Sequence, residues 1–273
     1  MKPITRLIFR KFAGVARPYL QAYGLLRTSK VFSRSVLVWE PGAERVVLLA
    51  PHMDDETIGC GGTLALHVRA GAKCRVIFLT DGRHGSSQLQ ELTRTERTLS
   101  ERALVATRKD EARRALKSLG VLDVTFLDVE DGTLATDETA AARVREILEQ
   151  DKPEVVYVPS FLEQHSDHYA ASKILLRATA DTDLSFQCMA YEVWTPLFPN
   201  CVVNIDEVVE LKKRALANYE SQLRDMDYLH SAIGLNSYRS VAFSGHRARF
   251  AEAFFAAPLN VYRAMFSQYG VGT

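Results

Sequence analysis

Between Val46 and Gly62 the chain reads V-V-L-L-A-P-H-M-D-D-E-T-I-G-C-G-G, and four ionisable side chains fall within five positions: His52, Asp54, Asp55 and Glu56. Farther on, H-S-D-H at 165–168 sets two imidazoles three residues apart with Asp167 between the two. Carboxylates crowded this closely repel one another unless a cation sits among them, and imidazole with carboxylate oxygen is a donor set that suits zinc. His52 and Asp55 supply two ligands, and either His165 or His168 supplies a third. A three-ligand site leaves zinc one position for water, as a catalytic centre requires, whereas a structural zinc takes four protein ligands. The bland reading is a run of acids that accept backbone N–H bonds at a helix start. It accounts for any one of the acids, but poorly for the whole set led by His52.

The elements that must position these residues follow from pattern. Val46–Ala50 is apolar and β-branched, as expected of a buried strand, and it stops at Pro51. The glycines at 59, 61 and 62 lead into helical spacing from Thr63 onward. Lys73–Thr80 is a second strand, ending at Asp81 and close to His84. Ser86–Ser100 is polar and reads as a loop or a partly helical insertion over the site. Arg102–Leu119 is a helix closed by Gly120. Val124–Leu127 is a third strand, Thr139–Glu149 a helix and Val155–Val158 a fourth strand. Phe186–Val193 reads as a strand, Glu207–Tyr219 as a helix with a basic face, and Ala248–Ala257 as a helix turning Phe250, Phe254 and Phe255 inward. Tyr191, Trp194 and Phe198 read first as core, and second as a wall for a sugar ring. Alternation of strand and helix predicts an α/β fold, Rossmann-like, with a mostly parallel sheet flanked by helices in three layers. Ligands of such sheets bind beyond the carboxyl ends of the strands, where both clusters fall.

The 273 residues are 47% hydrophobic and 25% charged, with a net charge of +1, so no global field points to nucleic acid. The four cysteines are scattered, which suits free thiols in a reducing compartment. No stretch approaches the apolar run of a membrane span, and no apolar h-region marks a signal peptide. The expected location is the cytoplasm. Residues 1–39 differ from the rest: they carry Lys2, Arg6, Arg10, Lys11, Arg17, Arg27, Lys30 and Arg34, and no acid precedes Glu40. The chain therefore divides into a basic extension, 1–40, and a domain, 41–273. Apolar Ile4, Leu7, Ile8, Phe12 and Val15 fall on one stripe. The plain reading is a helix packed on the domain, and the sharper one a peripheral helix resting on anionic lipid at the membrane surface.

P-H-M-D-D-E at 51–56 with H-S-D-H at 165–168 resembles the PIG-L / LmbE-like family of zinc-dependent N-deacetylases, whose usual motifs are P-H-P-D-D-E and H-P-D-H. G-C-G-G-T at 59–63, T-D-G at 80–82, R-x-x-E (Arg108, Glu111), Asp131-Gly132 and Y-E-S-Q at 219–222 extend the likeness from about Val46 to the 220s. The resemblance implies a Rossmann-like fold and one zinc per chain, with iron the alternative in the cell. It makes His52, Asp55 and His168 the metal ligands and Asp54 the general base. His165, oriented by Asp167, would assist the oxyanion or the leaving amine, and Arg108 and Asp131 would hold sugar hydroxyls. Met53 and Ser166 stand where proline is usual, and Glu163 where some relatives carry a tyrosine that assists the transition state.

The function expected on these grounds is removal of an N-acetyl group from an N-acetylated amino sugar, a GlcNAc-type glycoconjugate or precursor, free or lipid-linked. One alternative keeps the metal and cleaves another amide or an ester. A second is a non-catalytic sugar- or nucleotide-binding module; its weakness is that Leu64 occupies the last position a GxGxxG would need.

Overall fold

The computed structural model describes residues 36–86, 89, 93–243 and 248–269. The N-terminal stripe read as a helix, and part of the 86–100 stretch, lie outside them. Eight strands form one sheet: β1 (Leu37–Val38), β2 (Arg45–Ala50), β3 (Lys73–Thr80), β4 (Asp123–Val129), β5 (Val155–Pro159), β6 (Gln187–Tyr191), β7 (Cys201–Asn204) and β8 (Ala251–Pro258). The order is β1-β7-β8-β6-β5-β2-β3-β4, and only β8 runs antiparallel to its neighbours. β2 pairs with β3 on one side and β5 on the other. Strand order therefore reverses at β2, and the crevice beyond its carboxyl end is where a ligand site belongs in such a sheet.

Period-2 alternation along β2 divides the core. Val46, Leu48 and Ala50 face a layer built from α1 (Asp55–Arg69), α2 (Arg94–Leu119) and the segment after β7 that holds α5 (Val209–Leu216) and α6 (Glu220–Leu223). Val47 and Leu49 face the opposite layer, α3 (Ala140–Asp151), α4 (Ser166–Ala178) and α8 (Leu259–Tyr269). A further helix, α7 (Tyr228–Arg239), packs beside α1 through Ile58 and Ala232. The result is a mostly parallel sheet between two helical layers.

Three expectations change. Ala248–Ala257 is not a helix: Ala251–Pro258 is strand β8, inserted between β6 and β7. Both faces of that strand are buried, so its alternation is invisible, and an alanine-rich run then reads as a helix. α1 begins at Asp55, so the glycines lie inside it. They are there for close approach: a β-carbon on Gly62 would lie 2.6 Å from Ile205 Cγ2, and one on Gly59 would collide with the ring of Tyr191. α2 starts at Arg94, because its first two turns are exposed and polar and carry no apolar stripe. It ends where expected, at Gly120 with φ 84°.

α1 is also braced from the core. Glu252 on β8 accepts the backbone N–H of Gly62 (2.8 Å) and Thr63 (2.7 Å). Lys212 on α5 donates to Glu252 and to the carbonyl of Ile58, both at 2.7 Å. Ile58 is the residue four before Gly62, so a fully buried ion pair stands beside the helix ladder one turn past the acidic motif.

Candidate metal and catalytic site

The site forms where β2 ends and α1 begins. Pro51 is fixed first: its carbonyl accepts Thr80 N–H (3.0 Å) and Thr80 Oγ1–H (2.8 Å) from β3. Asp54 then adopts φ 137°, a backbone conformation that costs an L-residue energy and is held by its surroundings. The holding contacts are Thr57 and Ile58 N–H on the Asp54 carbonyl (3.0 and 2.9 Å) and Asp54 N–H on Glu56 Oε2 (3.1 Å). Arg108 of α2 donates to the carbonyls of Met53 (2.8 Å) and Gly82 (2.9 Å) and lies 3.6 Å from the Asp54 carboxylate. Glu56 turns inward onto Thr57 and Tyr219, which explains why Y-E-S-Q keeps company with the motif. Ser221 and Gln222 of that run latch Glu111 and the Gly85 carbonyl.

Asp55 is the centre. Its Oδ2 accepts His52 N–H (2.9 Å) and lies 3.3 Å from His52 Nδ1 and 3.2 Å from His168 Nε2. The other face of His52 is held by acids: Nε2 is 3.0 Å from Asp131 Oδ1 and 3.4 Å from Asp167 Oδ2. A proton on Nε2 satisfies these, and Nδ1 is the nitrogen that faces Asp55 and would give its lone pair to a cation held there. His165 sits at the exposed mouth with its ring 4.9 Å from that of His52 and 4.8 Å from that of His168. Its Nδ1 accepts Asp167 N–H at 3.2 Å, so in the neutral form its proton is on Nε2.

All eight residues singled out in the sequence lie around this site; Asp167 holds a partner other than the one expected, and Asp131 and Arg108 have protein partners here. The Asp167 carboxylate meets His52 and Gly132 N–H (2.8 Å), and only its backbone N–H meets His165. Asp131 orients His52 and accepts His84 N–H (3.1 Å). Arg108, 2% exposed, braces the Met53 and Gly82 carbonyls. Trp194 and Phe198 are 45% and 50% exposed, so the core reading holds for Tyr191 alone. Trp194 meets Tyr228 edge-on at 5.3 Å. Glu163, Lys212 and Glu252 were missed as buried partners. Glu252 lay in a run read as helix, and nothing local marks the other two.

Burial and mutual charge shift the acids and imidazoles of the site strongly. Burial raises Asp54 and Glu56 to about 7, although Arg108 opposes it at Asp54 and the Thr57 and Tyr219 hydroxyls oppose it at Glu56. Burial also presses on Asp55, but His168 and His52 outweigh it and hold that carboxyl well below its usual range. Burial disfavours charge on His168, yet Asp55 and Glu163 raise it to about 9. His52 is likewise raised, its acids overcoming burial. His165 is lowered, by burial and then by the other two imidazoles. Among the described residues two groupings have ligand atoms within 4.8 Å of one another, His52–His165–His168 and His52–Asp131–Asp167. Both ring nitrogens of His168 are buried and without a hydrogen bond, although Nε2 faces Asp55. Nε2 is paired with Asp55 at 3.2 Å, and a cation shared between that nitrogen and that oxygen suits the donor set.

The family model for PIG-L, described as GlcNAc-PI de-N-acetylase, matches residues 47–179. Residues 47–179 form a PIG-L family domain. Diacetylchitobiose deacetylase of Thermococcus kodakarensis is 27% identical over 197 residues, 66% of this chain and 70% of that protein. The 1D-myo-inositol 2-acetamido-2-deoxy-α-D-glucopyranoside deacetylase of Kineococcus radiotolerans is 30% identical over 163 residues, 49% of this chain and 44% of that one. Against that relative the chain spans less than half the length. Among solved structures, N,N'-diacetylchitobiose deacetylase of Pyrococcus horikoshii superposes with a TM-score of 0.67 over 91% of this chain and 94% of the other, at 21% identity, which shows the fold. These homologues are named as deacetylases of N-acetylglucosamine-type sugars.

Proposed function

We propose that this chain is a zinc-dependent hydrolase that removes an N-acetyl group from an N-acetylated amino sugar of the GlcNAc type. The observation that carries this reading is the convergence of His52 Nδ1 and His168 Nε2 on one oxygen of Asp55, at 3.3 and 3.2 Å, with a buried carboxylate, Asp54, next in the chain. His52, Asp55 and His168 would hold the metal. Bound there, zinc would polarise the acetamide carbonyl and lower the pKa of water to about 7.

The remaining work falls to the chain. Asp54, held beside Arg108 rather than among the proposed ligand atoms, accepts the proton of the attacking water. His165, with its Nε2–H at the open mouth, donates to the developing oxyanion and assists departure of the amine. Asp131 and Asp167 fix the ring of His52, and Arg108 fixes the turn that carries Asp54. Trp194, edge-on to Tyr228, offers an exposed apolar face to a pyranose ring.

The test is acetate release by metal-reconstituted protein from a panel of N-acetylglucosamine and N-acetylgalactosamine conjugates, run beside acyl esters. Release from the sugars supports the reading; turnover of esters alone overturns it. A metal-free preparation as active as the reconstituted one would also reject it.

No helix among the described residues is long and apolar enough to cross a membrane. A cytoplasmic enzyme reaching lipid-linked sugar through its basic residues 1–39 is part of the same proposal, supported by their charge alone. Salt-sensitive pelleting with anionic vesicles, lost on deleting residues 1–30, is the expected result. Equal pelleting with neutral vesicles would reject that part.

A further inference from the structure

Glu163 lies in the turn between β5 and α4, at the position where the family resemblance leads one to look for a tyrosine at the transition state. Its surroundings point elsewhere. The side chain is fully buried. Oε1 accepts the backbone N–H groups of Val193 (2.7 Å), Trp194 (3.1 Å) and Thr195 (3.2 Å), and Oε2 accepts Thr195 N–H at 3.1 Å. Three consecutive amides after β6 are thus gathered on one carboxylate. Oε2 also lies 3.7 Å from His168 Nδ1, a buried nitrogen without a hydrogen bond.

The chemistry of an imidazole ligand makes that approach informative. When Nε2 gives its lone pair to a cation, the ring proton must sit on Nδ1, and such a proton is ordinarily held by an outer carboxylate or carbonyl that sets the ring's angle and basicity. His168 presents Nε2 to Asp55 and Nδ1 to Glu163. A movement of about half an ångström would bring the second contact within hydrogen-bond length. Oε1, loaded with amides, faces away from this work; Oε2 has capacity left, since a carboxylate oxygen accepts about two bonds.

We propose that Glu163 is a positioning residue of the metal site, the outer acceptor of His168 Nδ1–H, and that it ties the Trp194 loop to that ligand. The inference rests on the reading of His168 as a metal ligand. It assigns Glu163 no contact with substrate.

Cobalt(II) titration of the full chain, followed by visible absorption, tests it in wild type and Glu163→Gln. The amide is isosteric and keeps one oxygen for the loop, but it turns an NH₂ toward His168 Nδ1–H or toward the loop amides. The expected result is a 10–100-fold weaker cobalt affinity and a shifted absorption band, with an unchanged circular dichroism spectrum. Equal affinity and an identical band in Glu163→Gln would overturn the inference and leave Glu163 as a loop brace. A wild type that takes up no cobalt overturns the ligand reading and this one together. Should the variant not fold, ¹⁵N-histidine spectra of zinc-loaded wild type decide: Nδ1 of His168 protonated supports the proposal, and Nδ1 unprotonated overturns it.

Discussion

Asp54 and Asp55 are neighbours with opposite assignments, and the contrast gives the sharpest predictions. Asp55 has both imidazoles on one oxygen, whereas Asp54 faces Arg108 across 3.6 Å. His52→Ala, Asp55→Ala and His168→Ala should each lose most bound metal by elemental analysis; full occupancy in His168→Ala would move the third ligand to His165. Asp54→Asn should keep the metal and lose about 10²–10⁴-fold in turnover, the usual range for lost general-base help. His165→Ala should lose a comparable factor, and because both act on one transition state the double mutant should be less impaired than the product of the singles. Near wild-type turnover by metal-loaded Asp54→Asn would dismiss it as the base.

At the scale of elements, the placement of Asp55 depends on how α1 is held. Lys212 and Glu252 reach it from α5 and β8, both side chains fully buried. Removing one partner of such a pair strands the other charge in the core. Lys212→Met should therefore lower unfolding stability by about 3–5 kcal/mol, read from a urea melt at neutral pH. Lys212→Met with Glu252→Gln should recover much of that, since no uncompensated charge remains. If the double variant is no better than the single, the pair's value lies in the Gly62 and Thr63 contacts instead. Those bonds to Glu252 also show why a glycine-rich helix can persist here: backbone that lacks side-chain packing is held by a carboxylate.

For the molecule as a whole, a buried histidine far from the acidic site sets an acid limit on stability. His67 on α1 meets the Gly42 carbonyl and Tyr157 Oη, both at 2.9 Å, Glu44 at 3.3 Å, and the edge of Trp39. Burial lowers its pKa, although the Gly42 carbonyl and Glu44 oppose the shift. A folded-state pKa below the unfolded one means the unfolded chain binds more protons in that window. Stability from His67 is then present above the ordinary histidine value of about 6.5 and lost as pH falls below it. His67→Gln should flatten the fall in urea midpoint between pH 7.5 and 5.5 relative to wild type. An unchanged slope would place that acid sensitivity elsewhere.

Chemistry carried by local type and spacing was legible in the chain itself. His52, Asp54, Asp55, Glu56 and the 165–168 run announce a cation site because their donor chemistry is intrinsic and short-range. The β2 and β3 strands and the α2 C-terminus at Gly120 were legible for the same reason, since a buried apolar run and a left-handed glycine are local properties. Partnerships across the sheet were not. Ala251–Pro258 became a strand only because β6 and β7 flank it and bury both faces. Asp131 turned to His52 across 79 positions, Glu163 to the amides of 193–195, and Lys212 to Glu252 across 40. Each satisfies a buried charge whose partner is chosen by which strand ends lie side by side, and strand adjacency is a property of the folded sheet rather than of any stretch of sequence.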